Sequence, residues 1–430
     1  METFERLESE VRSYSRSFPR VFAKAVDSRL IAEDGREYVD FLAGAGVLNY
    51  GHNNPRLKQI LLRYIVEDGI THGLDMATSA KRDFLEAFEQ VVLQPRGLEY
   101  KLQFPGPGGA NAVEAALKLA RKATGRSGVI AFTNGFHGMT LGALAVSSNL
   151  RARAGAHVDL HNTTIMPFDG FLGRDVDTLD VLERYLESGH SGLEKPAAFI
   201  VETVQGEGGV NVASDEWLRG LQRIARAHGV LLIIDDVQAG CGRCGSFFSF
   251  ESAGLEPDLV CLSKALSGFG LPIALTLVRP ELDCWAPGEH NGTFRGHNLA
   301  FVTATAALDY WRSGDLAAAI DAKHRTATDR LTAIAATRPE LGAEARGRGL
   351  MLGLDLGVPG LAGQVSARAF ERGLVIETSG PGDRVLKLLP PLTISDADLA
   401  FGLDVIEEAV EAVVPAAPAQ VLPGGLPVIA

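Results

Sequence analysis

Short apolar runs alternate with stretches of helical periodicity from about Pro55 to Tyr310 of this chain. The clearest unit is Ala198-Phe199-Ile200-Val201, then a helical pattern from Ser214 to His228, then Val230-Leu231-Leu232-Ile233-Ile234. Uninterrupted apolar runs of this length predict strands buried on both faces. Ser214 suits the N-cap of the helix between them, and Gly229 suits the residue just past its end. Strand, helix, strand in this order predicts right-handed crossovers and a mostly parallel sheet. Leu259 to Leu262 and Ala274 to Val278 predict further strands.

The chain ends read differently. Ile31 to Phe41 predicts strand, Asp-Gly turn, strand. After a helix near Phe301 to Trp311 come a long helix near Asp315 to Arg338 and strands at Leu350–Leu356, Leu374–Glu377 and Val385–Leu388. A last helix is predicted near Asp396 to Val413. These patterns divide the chain into an N-terminal segment (1–54) that joins a small domain, a large domain (55–312), a C-terminal small domain (313–414) and a mobile tail (415–430) rich in Pro, Ala and Gly.

Composition narrows the class. The 430 residues are 46% hydrophobic and 22% charged, which fits a globular protein with a sizeable core. A net charge of −12 argues against nucleic acid and against an anionic membrane surface. No apolar run reaches the roughly 18 residues of a membrane span. The charged start Met1-Glu2-Thr3-Phe4-Glu5 lacks a signal-peptide core, so a cytoplasmic location is expected. The four cysteines are too few to staple the chain. Cys241-Gly242-Arg243-Cys244 has no second C-x-x-C to complete a zinc site, and no metal is expected.

Candidate chemistry sits where apolar runs end. Val230 to Ile234 runs into Asp235-Asp236-Val237-Gln238, and Leu259 to Leu262 into Ser263-Lys264. Ligands bind outside the carboxyl ends of strands in open α/β sheets. A buried carboxylate is costly unless paired, and a desolvated lysine is nucleophilic. Pyridoxal phosphate needs this pair, a lysine for covalent attachment and an acid for its ring nitrogen. Gly106 to Asn111 opens a helix whose free N–H groups and dipole attract phosphate. An ordinary loop-to-helix joint would look the same. Phe136, beside His137, can stack on a flat ring or fill the core. Glu202 and Glu207 stand at a strand end with a flexible glycine pair and suggest a site that selects an amine or guards a cation. Thr293 lies in a polar, glycine-rich stretch and can donate to a phosphate oxygen.

Together these residues resemble the class III aminotransferases of pyridoxal-phosphate fold type I, from about residue 20 to 412. The most specific stretches are Leu232 to Gly240 and Ser263 to Gly268. The resemblance implies an α/β fold with a large domain built on a mostly parallel seven-stranded sheet covered by helices, and a smaller α+β domain from the two chain ends. It implies pyridoxal 5′-phosphate as cofactor, amino acids and 2-oxo acids or semialdehydes as substrates, and a homodimer, with tetramers open, whose site lies at the subunit interface. Lys264 would carry the cofactor and shuttle the proton, and Asp235 would pair with the ring nitrogen. Val237 and Phe136 would hold the ring faces, with His137 and Glu202 beside them, and Gln238 would reach the ring hydroxyl. Gly109, Ala110 and Asn111 would bind the phosphate, completed by Thr293 from a second copy. The implied reaction carries an amino group from L-glutamate to L-aspartate 4-semialdehyde. An ornithine or 4-aminobutyrate enzyme, or a non-catalytic cofactor sensor, is the alternative.

Three departures from the family pattern stand out. Asp236 replaces the usual Glu, and Gly242-Arg243-Cys244-Gly245 stands where the family often has Gly-Arg-Thr-Gly. Lys387 replaces a carboxylate-binding arginine, and a lysine is a point charge, not a bidentate fork. Glu207 and Lys387 are therefore the candidate substrate-binding residues.

Overall fold

The computed structural model describes residues 1–173 and 175–414, so the expected mobile tail lies outside the described residues. Its centre is a seven-stranded sheet. In chain order the strands are β1 (Lys101–Gln103), β2 (Val129–Phe132), β3 (Thr163–Met166), β4 (Ala198–Val201), β5 (Leu231–Asp235), β6 (Leu259–Leu262) and β7 (Leu275–Val278), with spatial order β1-β7-β6-β5-β4-β2-β3. Strands β3, β2, β4, β5 and β6 pair in parallel. Strand β7 runs antiparallel to both β6 and β1.

The pleat sorts the apolar runs onto two faces, because successive side chains point to opposite sides. Ile200, Ile233, Leu259 and Cys261 share a core with Ala112, Val113, Ala116 and Leu117 of helix α1 (Gly109–Thr124). Phe199, Val201, Leu232, Ile234, Val260 and Leu262 pack with Trp217, Leu218, Leu221 and Ile224 of helix α2 (Asp215–His228). Ser214 caps α2 by accepting the Trp217 N–H, and Gly229 follows it at φ 56°. A fully buried Leu or Ile side chain contributes roughly 1.5–3 kcal/mol. A one-residue register slip would exchange the two faces, so burial fixes the register. The row Leu231, Ile233 therefore continues to Asp235 on the α1 side.

The chain ends form two further sheets. Phe22–Val26, Arg29–Ala32 and Glu37–Asp40 make an antiparallel meander, and Leu374–Val375 adds to Glu37–Asp40 in parallel. Glu344–Arg348, Met351–Asp355, Val385–Leu388 and Glu377–Ser379 make an antiparallel sheet in that order. The single strand expected at 374–377 is thus two strands in two sheets, joined at Ile376. The continuous apolar run Leu374-Val375-Ile376 carries no sign of a change of partner. Helix α1 also starts three residues earlier than the apolar periodicity, at Gly109.

Arg243 joins these parts. It is completely buried and donates to the carbonyls of Leu350 (3.0 Å) and Pro390 (2.6 Å) and to Asn49 Oδ1 (2.5 Å). Cys241 and Cys244 beside it are buried, and burial pushes both thiols up in pKa, Cys244 to about 11. A reactive thiolate needs the opposite environment. No group of three or more metal-ligating side chains occurs among the described residues.

Candidate active site

The carboxyl ends of β2, β4, β5 and β6 and the start of α1 enclose a cavity of about 160 Å³. Gly109, Ala110, Phe136, His137, Glu202, Glu207, Asp235, Val237, Gln238 and Lys264 all line it, with Gly138. Asn111 does not. Its Oδ1 accepts the Gly108 N–H at 3.1 Å and so closes the start of its own helix. Thr293 is exposed and away from the cavity of its own chain.

Lys264 follows β6 at φ 45°, left-handed backbone that costs a non-glycine residue about 1–3 kcal/mol. The Ser263 hydroxyl pins this turn by donating to the Ile273 carbonyl at 2.7 Å. Burial lowers the Lys264 amine in pKa, against the pull of the Glu207 carboxylate. An amine that holds its proton less tightly is a better nucleophile.

Asp235 is 5% exposed. Its Oδ2 accepts from His137 Nδ1 at 2.7 Å and its Oδ1 from the Val237 N–H at 3.2 Å. The His137 backbone N–H donates to Ser147 Oγ at 2.9 Å. Burial disfavours the charged imidazole, but the Asp235 hydrogen bond and charge outweigh it and raise the His137 pKa. The Asp235–His137 pair is therefore held from both sides.

Glu202 Oε2 accepts the Phe136 N–H at 2.9 Å, which fixes the turn that carries Phe136. Burial pushes the Glu202 carboxyl from 4.5 up to about 8. A raised folded-state value stabilises the fold below the unfolded value, and this contribution is lost as pH rises through the folded value. In cofactor-free protein, wild-type stability should fall between pH 4.5 and about 8 more steeply than that of Glu202→Gln. Urea unfolding across that window measures the difference. Parallel pH profiles would assign the shift elsewhere.

Gln238 donates to the Ala45 carbonyl (3.1 Å) and to Glu207 Oε1 (3.2 Å). Its own Oε1 is buried without a hydrogen-bond partner. Lys387 Nζ lies 2.6 Å from Glu207 Oε1 and 3.2 Å from Glu377 Oε1, with the lysine fully buried. Burial works to raise Glu207, yet Lys387 and Lys264 hold its carboxyl at about 2.

These residues fit pyridoxal 5′-phosphate. A Cβ on Gly109 would come within 2.7 Å of Val237 Cγ1, so only glycine lets the helix start meet that cavity wall. The first N–H groups of α1 have no partner within the helix and suit an anion. The orphaned Gln238 Oε1 suits a ring hydroxyl, and the Asp235 carboxylate suits a ring N–H.

Fold and cavity together define a pyridoxal-phosphate enzyme, with a buried lysine at a sheet end in its cavity. The family described as "Aminotransferase class-III" matches residues 11–410, and the chain belongs to it. It is 58% identical over 96% of its length to a diaminobutyrate–2-oxoglutarate transaminase of Halalkalibacterium halodurans, covering 97% of that protein. It is 59% identical over 94% of its length to one from Halomonas elongata, again covering 97%. Among solved structures, ornithine aminotransferase from Toxoplasma gondii superposes with TM-score 0.82 at 27% identity, over 96% of this chain and 94% of that one. The cofactor is pyridoxal phosphate.

Sequence reasoning gave no role to Glu377 or Tyr14. The Tyr14 hydroxyl donates to Glu377 Oε2 at 3.2 Å. Glu377 pairs in register with Lys387 across two antiparallel strands, and that pairing is invisible until the partner strand is known.

Proposed function

We propose that this chain transfers an amino group from L-glutamate to L-aspartate 4-semialdehyde, giving L-2,4-diaminobutyrate and 2-oxoglutarate, reversibly. The observation that carries the reading is 58% identity along 96% of the chain to a relative named diaminobutyrate–2-oxoglutarate transaminase. The bound cofactor supplies an aldehyde carbon for amines and a ring that accepts electrons. Every other part of the work falls to the residues of this chain.

Lys264 holds the cofactor, and its amine, once freed, takes and returns the proton at the substrate carbon. Asp235, oriented by His137, keeps a proton on the ring nitrogen. Val237 and Phe136 clamp the ring, Gln238 meets its hydroxyl, and Glu202 fixes the Phe136 turn. Gly109 and Ala110 hold the phosphate from the start of α1. Glu207 and Lys387 bind the far end of the substrate.

Thr293 completes the phosphate cup of a second copy, so the active unit is a homodimer, with the cytoplasm as its location. The exposure of Thr293 supports this, as do exposed apolar side chains at Leu62, Ile65, Val66 and Phe294. No helix among the described residues is long and apolar enough to cross a membrane.

The test incubates purified holoenzyme with glutamate and three acceptors: aspartate 4-semialdehyde, glutamate 5-semialdehyde and succinate semialdehyde. Mass spectrometry should find 2,4-diaminobutyrate as the dominant product. Dominant ornithine or 4-aminobutyrate would replace this reading with another member of the family.

A further inference from the structure

Thr293 sits in a stretch, 283–297, that forms no helix or strand. Stretches of more than about 12 such residues are uncommon in compact domains and are mostly functional. Thr293 is exposed, and its hydroxyl has no hydrogen-bond partner among the described residues. A cavity of about 380 Å³ is lined by Lys101, Gln103 and Phe104 and by loop residues 285–290. Continuous packing therefore does not hold the loop, and ordering its backbone costs conformational entropy.

Two polar clamps hold it instead, one on each side of Thr293. The first centres on Glu289. Its carbonyl accepts from Lys118 Nζ at 2.7 Å. Its Oε2 accepts from Lys122 Nζ at 2.5 Å and from the Ala286 N–H at 2.8 Å. The Lys118 ammonium also lies 5.3 Å from the centre of the Trp285 ring, and the Trp285 indole donates to Gln103 Oε1 at 3.1 Å. An isolated surface ion pair contributes little, but contacts that converge on one residue act as a network. The second clamp is Arg295, which donates to Asp75 Oδ2 at 2.9 Å and to the His290 carbonyl at 3.2 Å. Residues 291–294, between the clamps, are exposed.

Lys118 and Lys122 stand one turn apart on α1. The start of that helix meets the phosphate of its own subunit in the proposed site. One helix thus serves two cofactors: its start holds one, and its later turns aim a loop at the other. We propose that Lys118, Lys122 and Glu289 are positioning residues for the cofactor of the partner subunit. They hold the loop so that Thr293 reaches the phosphate across the interface, and they do not touch the cofactor themselves. This rests on the shared phosphate cup proposed above.

The experiment co-expresses differently tagged chains, purifies mixed dimers, and reads turnover of glutamate with its acceptor against pyridoxal phosphate concentration. The Glu289→Ala homodimer should need at least roughly tenfold more cofactor than wild type for half its maximal rate. Lys264→Ala silences one site of a mixed dimer, so the rate reports the other site alone. With Glu289→Ala and Lys264→Ala on separate chains, the live site receives its Thr293 loop from the chain with Glu289 intact. Wild-type cofactor demand should return. With both substitutions on one chain and wild type as its partner, the live site receives the altered loop, and the defect should persist. A merely structural defect stays with the chain that carries it and gives the opposite pattern. That opposite pattern overturns the proposal, as does wild-type demand in the Glu289→Ala homodimer. Should Glu289→Ala fail to fold, Lys122→Met enters the same pairs with the same expectations. Thr293→Ala in the same pairs tests the shared cup by itself. If its defect stays with its own chain, the cup reading fails; if it crosses while that of Glu289→Ala does not, only the clamp fails.

Discussion

Lys264→Ala should lower turnover by roughly 10⁴-fold or more, the largest effect of any single substitution in this chain. General acid–base catalysis alone contributes about 10²–10⁴-fold, and on the proposed reading the same amine also carries the covalent link to the cofactor. Alanine loses both. The fold should tolerate the change, because the turn is pinned by Ser263 on Ile273 and not by the Lys264 side chain. Lys264→Arg should be nearly as inactive, since a guanidinium stays protonated and cannot serve as nucleophile or base. Steady-state turnover with glutamate checks both variants, and thermal melting shows whether each is folded. A folded alanine variant within tenfold of wild type would remove Lys264 from the chemistry.

Asp235→Asn comes second, with an expected loss in kcat of about 10²–10⁴-fold, or about 3–5 kcal/mol of transition-state stabilisation. The amide has the size of the carboxylate and still accepts a hydrogen bond. It carries no negative charge with which to keep a ring nitrogen protonated. A second readout separates this from mere disorder. His137 is raised in pKa because the hydrogen bond and charge of Asp235 outweigh burial. With the charge gone, burial dominates, and the His137 pKa should fall below its ordinary 6.5. An NMR titration of the His137 ring reads this directly. If kcat drops while the histidine titrates as before, Asp235 acts by some route other than its charge.

The two effects should not add. Lys264 and Asp235 follow the ends of adjacent strands β6 and β5, and in the proposed reaction both act on one bound group. Residues that act as a unit are grossly non-additive. The double variant should therefore be little worse than Lys264→Ala alone.

Much of this site was legible in the residues. Four or five consecutive apolar positions ending in a charged one mean a buried strand reaching the sheet edge, and Asp235 and Lys264 both follow from that pattern. Gly109 was legible as the start of a helix, though the periodicity of α1 begins later. The split at Ile376 was not legible, because an apolar run looks alike whichever strand it pairs with. Asn111 was expected as a phosphate ligand, and its side chain instead accepts the Gly108 N–H.

What the sequence determined by itself was local: where strands and helices run, which face of each is apolar, and which polar residues stand at strand ends. These follow from the period of the side chains along one segment and from the cost of burying charge. What only the tertiary structure decided was the company those residues keep. His137 reaches Asp235 across 98 residues, and Lys387 reaches Glu207 across 180. Glu377 meets Lys387 only through the register of two strands. Such pairings depend on strand order and on the packing of the chain ends around the large sheet, and no local period encodes either.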